Sequence, residues 1–181
     1  MNTANKITIV RILMIPAFMI VLMLNWEFSR LAAAGLFVLA AATDGLDGHI
    51  ARKYNQVTDF GKFIDPLADK LLVATALICL VDLGSIAAWM AVVIIAREFI
   101  VTSLRLVAIS NGVVIAASMT GKVKTVIQII ATVCALLFDG RMFDIFGVSA
   151  GYIAMAIAAL FTVYSGVVYL KENWHLINNF K

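Results

Sequence analysis

Six long apolar segments limit what this chain can fold into. Each is close to the roughly 20 residues that a helix needs to cross the hydrocarbon core of a bilayer. Hydrophobic residues make up 63% of the 181 residues and charged residues only 14%, against about 25% charged in a typical soluble domain. This pattern predicts an all-α membrane protein with six transmembrane helices in a single domain, residues 1–181. The predicted spans are residues 7–24, 31–52, 63–81, 86–110, 123–138 and 148–170.

Basic residues are distributed unevenly between the two ends of these segments. The loops on one side carry only Arg30 and Arg141, whereas most of the remaining Lys and Arg flank the other side. Lys and Arg accumulate in cytoplasmic loops, and an even number of spans places both termini on one side. Both termini are therefore predicted to be cytoplasmic, in a multi-pass protein of the cell membrane. The net charge of +3 is modest and forms no exposed basic stripe, so no nucleic-acid partner is expected.

Four aspartates lie inside the apolar segments. Asp44 and Asp47 are in the second segment, and Asp65 and Asp69 are near the start of the third. A carboxylate in the middle of a bilayer costs about 2.5–3.5 kcal/mol even on insertion scales, so such residues are functional candidates. Spacings of three and four residues place each pair on one helix face. The short loop between the segments then predicts that all four converge in a cytoplasm-facing cavity.

Carboxylates gathered in this way repel one another and raise each other's pKa values. Divalent cations with oxygen ligands are their natural counter-ions, and phosphate oxygens can fill the remaining coordination positions. The alternative is that the acids pair with nearby bases such as Arg52, Lys62 or Lys70. Such pairing can explain any one acid, but the arrangement of all four favours a metal site.

Residues 44–69 resemble the signature of the CDP-alcohol phosphotransferase family. The chain reads DGLDGHIAR, then KYNQVTDF, then GKFIDPLAD, and it matches the family pattern at all eight specified positions. The resemblance implies that the four aspartates bind two Mg²⁺ or Mn²⁺ ions, with Asp69 also acting as general base. It implies that the CDP-lipid is held by Gly48, Arg52 and Thr58, and, through the segment KITIVR, by Thr8 and Arg11. It also implies a homodimer.

The acceptor alcohol is inferred from the second half of the chain. The elements AREF, SLR and GKVKT resemble those of the phosphatidylglycerophosphate synthases in this family, which use sn-glycerol 3-phosphate and CDP-diacylglycerol. Arg105, Lys122 and Lys124 are then the candidate ligands of the acceptor's phosphate, since clustered bases suit a dianionic group. For Lys122 and Lys124, simple placement at the membrane interface is the alternative.

Two other functions remain open at this point. A sister enzyme that uses inositol phosphate, serine or another alcohol shares the metal site, and only the basic residues of the second half distinguish it. A small cation-coupled transporter also contains intramembrane acids, but it predicts an internal repeat and acids near mid-membrane. Clustering of the four aspartates near one end of their segments favours the enzyme.

Overall fold

A computed structural model describes residues 3–24, 26–53, 59–113, 115–116, 118–138, 144–145 and 147–174, with the backbone alone for residues 3–6, 44–53, 59–63, 65, 66, 144 and 145. The described residues form six α-helices and one short hairpin, which confirms the predicted all-α class. The helices are α1 (Thr3–Met23), α2 (Ser29–Lys53), α3 (Asp59–Asp82), α4 (Ala88–Ser110), α5 (Met119–Leu137) and α6 (Ala150–Glu172).

Each helix coincides with one predicted segment, but α1, α3 and α5 each begin four residues before the predicted span. The helix α5 begins at Met119, four residues before residue 123, where the predicted span begins. Ser118 explains the difference, because its side chain accepts a hydrogen bond from the backbone N–H of Gly121 at 3.2 Å. A hydroxyl in this position satisfies one of the free N–H groups of the first turn. The helix therefore extends into polar sequence that hydrophobicity alone does not mark.

A two-stranded antiparallel hairpin lies between α5 and α6. Its strands are β1 (Asp144–Ile145) and β2 (Val148–Ser149), with Asp144 opposite Ser149. Gly147, in the turn, has a φ of 81°, a conformation that glycine adopts at little cost. Two-residue strands are too short to leave a periodic signal in the sequence, and they were not predicted.

The helices are held together by a continuous apolar core. Phe18 of α1 contacts Phe37 of α2 with ring centroids 6.1 Å apart, and both side chains are fully buried. Leu77 of α3, Ile94 of α4 and Met155 of α6 are buried in the same core. The core therefore joins the aspartate-bearing helices α2 and α3 to the second half of the chain, and it fixes where the charged residues of the two halves can meet.

Large apolar side chains also cover the outside of the molecule. At least one on each helix is more than half exposed: Leu13, Leu39, Ile78, Val92, Ile130 and Leu160. Among the described helices, α5 and α6 are long and apolar enough to cross a membrane, and α1 and α2 contain shorter apolar stretches at Ile7–Met23 and Ser29–Thr43. Exposed apolar surface of this extent is typical of a surface that contacts lipid or another protein.

Candidate active site

A cavity of about 310 Å³ lies among α2, α3, α4 and α5. Its walls are mostly apolar and include Phe37 and Ile94. Its polar side chains come from three helices: Asp69 and Lys70 from α3, Glu98 from α4, and Lys124, Thr125 and Gln128 from α5. An apolar cavity with a few converging polar groups is the usual form of a small-molecule site.

Glu98, which lines this cavity, forms ion pairs with two basic side chains. Its carboxylate accepts a hydrogen bond from the Lys124 ammonium and forms a second ion pair with Arg97 at 3.2 Å. The other end of the Arg97 guanidinium donates to Ser165 Oγ of α6 at 2.9 Å. These contacts join α4, α5 and α6 through charged side chains that are largely removed from solvent, with Lys124 only 3% exposed.

Two cations and one anion leave the Arg97–Glu98–Lys124 cluster with a net charge of +1. Lys70 and Asp69, in the same cavity, contribute +1 and −1. In their usual ionisation states, these five described side chains therefore carry a net charge of +1, a sum that does not include Asp44, Asp47 and Asp65. Lys70 and Lys124 are bases of the type that holds an anionic ligand, and Asp69 lies in the same cavity.

Asp69 is the one predicted metal ligand whose side chain the structure describes. Asp65 lies one turn before it on α3, while Asp44 and Asp47 lie in the last turns of α2, which contacts α3. The side chains of those three aspartates are outside the described residues. Among the side chains that are described, no three acids, cysteines or histidines gather as a metal site would require. The four carboxylates are of the donor type that Mg²⁺ and Mn²⁺ prefer, and two neighbouring helices carry them.

Two of the predicted CDP-lipid residues are buried on α1. Thr8 and Arg11 lie one turn apart and are 2% and 0% exposed. Arg11 donates from Nε to Thr43 Oγ1 at 3.2 Å, and Thr43 in turn donates to the carbonyl of Ala40 at 2.6 Å. Because Thr43 immediately precedes Asp44, this contact ties α1 to α2 at the start of the signature. Gly48 and Arg52 are described by their backbone alone, on α2, and Thr58 lies outside the described residues.

The three predicted phosphate ligands do not come together in the cavity. Lys124 lines it, but Lys122 is exposed on α5 and Arg105 lies toward α6, and neither lines the cavity. Arg105 donates from Nε to the Tyr169 hydroxyl at 3.1 Å, and its guanidinium carbon is 5.4 Å from the centre of that ring. Of the three, only Lys124 is placed beside Asp69.

The sequence model of the family described as CDP-alcohol phosphatidyltransferase matches residues 1–164. The chain belongs to this family. It is 48% identical to a Bacillus subtilis protein named CDP-diacylglycerol–glycerol-3-phosphate 3-phosphatidyltransferase, over 97% of each chain. It is 40% identical to a Pseudomonas fluorescens protein of the same name, over 96% of this chain and 91% of the relative. A Mycobacterium tuberculosis protein named probable phosphatidylglycerophosphate synthase is also 40% identical, over 94% of this chain and 81% of the relative.

This match confirms the family inferred from residues 44–69 and extends it over most of the chain. The protein is therefore an enzyme of the CDP-alcohol phosphatidyltransferase type. Within the family, the match tests none of the individual site residues. The assignment of metal ligands, base and substrate contacts rests on the sequence motifs and, for Asp69 and Lys124 alone, also on their places in the cavity lining.

Lys70 and Gln128 line the cavity of this phosphatidyltransferase but are not among the predicted site residues. Each had a signal in the sequence. Lys70 directly follows the last aspartate of the signature, inside an apolar segment where a cation is costly. Gln128 lies four residues after Lys124, on the same face of α5. Neither signal identifies the cavity by itself, and only the arrangement of the helices shows which residues reach it.

Proposed function

We propose that this enzyme transfers the phosphatidyl group of CDP-diacylglycerol to sn-glycerol 3-phosphate. The products would be phosphatidylglycerophosphate and CMP. The observation that carries the proposal is the cavity that places Asp69 of the family signature beside Lys70 and Lys124. A carboxylate in the same cavity as Lys70 and Lys124 suits an acceptor that has both a hydroxyl to deprotonate and a phosphate to hold. The names of the Bacillus and Pseudomonas relatives specify the same donor and acceptor.

The reaction requires one proton transfer and one substitution at phosphorus. Asp69 takes the proton from the acceptor's primary hydroxyl, and the resulting oxygen attacks the β-phosphorus of the CDP-lipid. A new bond forms between that oxygen and phosphorus, the bond from phosphorus to the CMP oxygen breaks, and CMP leaves. Much of the rate gain in such a reaction comes from holding the two substrates in line.

Two divalent cations, Mg²⁺ or Mn²⁺, would be held by Asp44, Asp47, Asp65 and Asp69. When bound, such ions neutralise the pyrophosphate and the departing CMP. The remaining binding work falls to the chain's own residues. Arg52, at the end of α2, is suited to hold a phosphate oxygen of the donor with its forked guanidinium. Gly48 and Thr58 are assigned to the same donor by their places in the signature.

Thr8 and Arg11 belong to the donor side of the proposed site. Both are buried on α1, and Arg11 reaches Thr43, the residue before the first aspartate. On the acceptor side, Lys124 is the phosphate ligand that the cavity supports. Arg105 and Lys122 remain predictions for that role, since they are placed outside the cavity lining.

The proposed setting is the cell membrane, with all six helices as spans, both termini cytoplasmic and the cavity open to the cytoplasm. The exposed apolar faces of all six helices support the membrane setting, and the uneven distribution of Lys and Arg supports this orientation. Assembly as a homodimer and a single domain over residues 1–181 are further proposals from the family resemblance and the chain length.

Turnover by the purified full-length protein with a panel of acceptors tests the proposed function. The assay contains CDP-diacylglycerol, Mg²⁺ and, in turn, glycerol 3-phosphate, inositol phosphate, serine or glycerol. We expect release of CMP and formation of a phospholipid with glycerol 3-phosphate, and at least tenfold slower turnover with the others. Preference for inositol phosphate or serine would make the protein a sister enzyme, and absence of turnover with every acceptor would overturn the proposal.

A further inference from the structure

Gln128 is one of the polar side chains of the cavity to which the reaction described above gives no role. It lies on α5, is 3% exposed, and lines the cavity together with Asp69 and Lys124. Among the described residues, neither its amide nitrogen nor its amide oxygen has a hydrogen-bond partner. Buried polar groups are nearly always hydrogen-bonded, so the unsatisfied amide of a residue that lines the cavity points to a partner that arrives with a ligand.

The chemistry of the amide restricts that ligand. Its NH₂ group only donates hydrogen bonds and its carbonyl oxygen only accepts them. A phosphate dianion offers acceptors alone and would leave the amide oxygen unsatisfied. A hydroxyl both donates and accepts, so one hydroxyl group can satisfy either atom and two polar atoms of a polyol can satisfy both.

The position of Gln128 on α5 restricts the ligand further. Gln128 follows Lys124 by four residues, which is about 6 Å along the helix axis on the same face. A ligand whose phosphate lies at Lys124 therefore has its next few atoms near Gln128. The volume of about 310 Å³ is at the lower end of the range of about 300–1,000 Å³ for ligand pockets. This size suits a small polyol phosphate.

We propose that Gln128 binds the hydroxyl of the acceptor that does not react, the one on the middle carbon of glycerol 3-phosphate. This inference rests on the proposed function and assigns the three polar parts of the acceptor to three groups of the cavity. Asp69 takes the reacting hydroxyl, Lys124 the phosphate and Gln128 the middle hydroxyl. Gln128 is then a specificity-determining residue, because an acceptor without that hydroxyl would leave the buried amide unsatisfied.

A cycle of two enzymes and two acceptors tests the contact. The acceptors are glycerol 3-phosphate and 1,3-propanediol phosphate, which lacks only the middle hydroxyl. The enzymes are the full-length wild type and Gln128→Met, which keeps the length of the side chain and removes its polar atoms. We expect the wild type to favour glycerol 3-phosphate by about tenfold or more in kcat/KM, and the variant by less than about twofold. The KM for CDP-diacylglycerol should stay within about twofold.

Thr132→Val is the matched control. Thr132 is buried one turn further along α5, donates to the backbone carbonyl of Gln128 at 2.9 Å, and does not line the cavity. This variant also removes a buried polar group from α5, but it should keep the wild-type preference for glycerol 3-phosphate.

Three results would overturn the inference. One is an unchanged preference in Gln128→Met, and another is an equal loss of preference in Thr132→Val. The third is a rise in KM for CDP-diacylglycerol alone, which would assign the amide to the nucleotide. If Gln128→Met is folded but inactive, calorimetry measures the preference instead, as the ratio of the binding constants of the two acceptors. If Gln128→Met does not fold, Gln128→Asn takes its place. Failure of the proposed function is distinct, since the wild type itself would then not use glycerol 3-phosphate.

Discussion

Asp69 links the family signature to the observed cavity. It is the last acid of the signature, and its side chain lines the cavity beside Lys70 and Lys124. The sequence was sufficient to find it, because carboxylates at spacings of three and four in apolar segments are too costly to lack a role. The partner of Lys124 could not be predicted in the same way. Its ion pair with Glu98 depends on how α4 and α5 are rotated toward each other, which hydrophobicity does not determine.

Asp69→Asn should reduce kcat by at least about a hundredfold. The amide keeps the size of the side chain but can neither accept the proton nor ligate metal as a carboxylate does, and loss of a general base typically costs 10²–10⁴ in rate. The check is CMP release by purified protein with saturating CDP-diacylglycerol, glycerol 3-phosphate and Mg²⁺. Asp82→Asn, at the exposed end of the same helix, is the control and should remain active. More than a tenth of wild-type turnover in Asp69→Asn would exclude the assigned role.

Lys124→Gln should raise the apparent KM for glycerol 3-phosphate by about ten- to a hundredfold. A charge-assisted hydrogen bond contributes about 1.5–3 kcal/mol, and Glu98 keeps Arg97 as a partner in the variant. The KM for CDP-diacylglycerol should change much less. Initial rates with each substrate varied in turn measure both constants.

The same two KM values are measured for Lys122→Gln and Arg105→Gln. If all three bases hold the acceptor's phosphate, the three variants give similar increases. Because only Lys124 of the three lines the cavity, we expect Lys124→Gln to give the largest increase. An increase confined to CDP-diacylglycerol would move these residues to the donor side of the site.

At the scale of elements, the positions of the six helices followed from the length of the apolar segments, but their contacts did not. Small residues let helices approach one another closely, and α5 and α6 do so. A Cβ added to Gly151 of α6 would lie 2.6 Å from the Cα of Ala135 in α5. The sequence does not distinguish this glycine from others on the helices, because the contact exists only after α5 and α6 have packed together.

Gly151→Ala should therefore lower the free energy of unfolding by about 1–3 kcal/mol, because the added methyl group forces two backbones apart. Gly35→Ala is the matched control, since nothing lies within 4 Å of a Cβ at that helical position. It should be neutral or stabilise the protein by up to about 1 kcal/mol, since alanine favours helix over glycine. Thermal unfolding of both variants in detergent measures the difference. Equal melting temperatures of the two variants would show that α5 and α6 can move apart without a loss of stability.

At the scale of the whole molecule, the buried contact between Arg11 and Thr43 has a consequence for how the protein is made. Arg11 lies near the middle of α1, is fully buried, and donates to a side chain of α2. During synthesis α1 leaves the ribosome first, when this partner does not yet exist. A lone arginine adds up to about 2.5–3.5 kcal/mol to the insertion free energy of a helix, and less where it lies nearer one end, as Arg11 does in the apolar stretch Ile7–Met23.

We therefore expect α1 to enter the bilayer efficiently only together with α2. In a glycosylation-based insertion assay, α1 alone should insert poorly, and either Arg11→Leu or the addition of α2 should restore insertion. Thr43→Val should weaken the effect of α2, and equal insertion of α1 with and without α2 would rule out this order of events. The same arginine that ties the first helix to the aspartate-bearing helix would then make the first two helices a single unit of biogenesis.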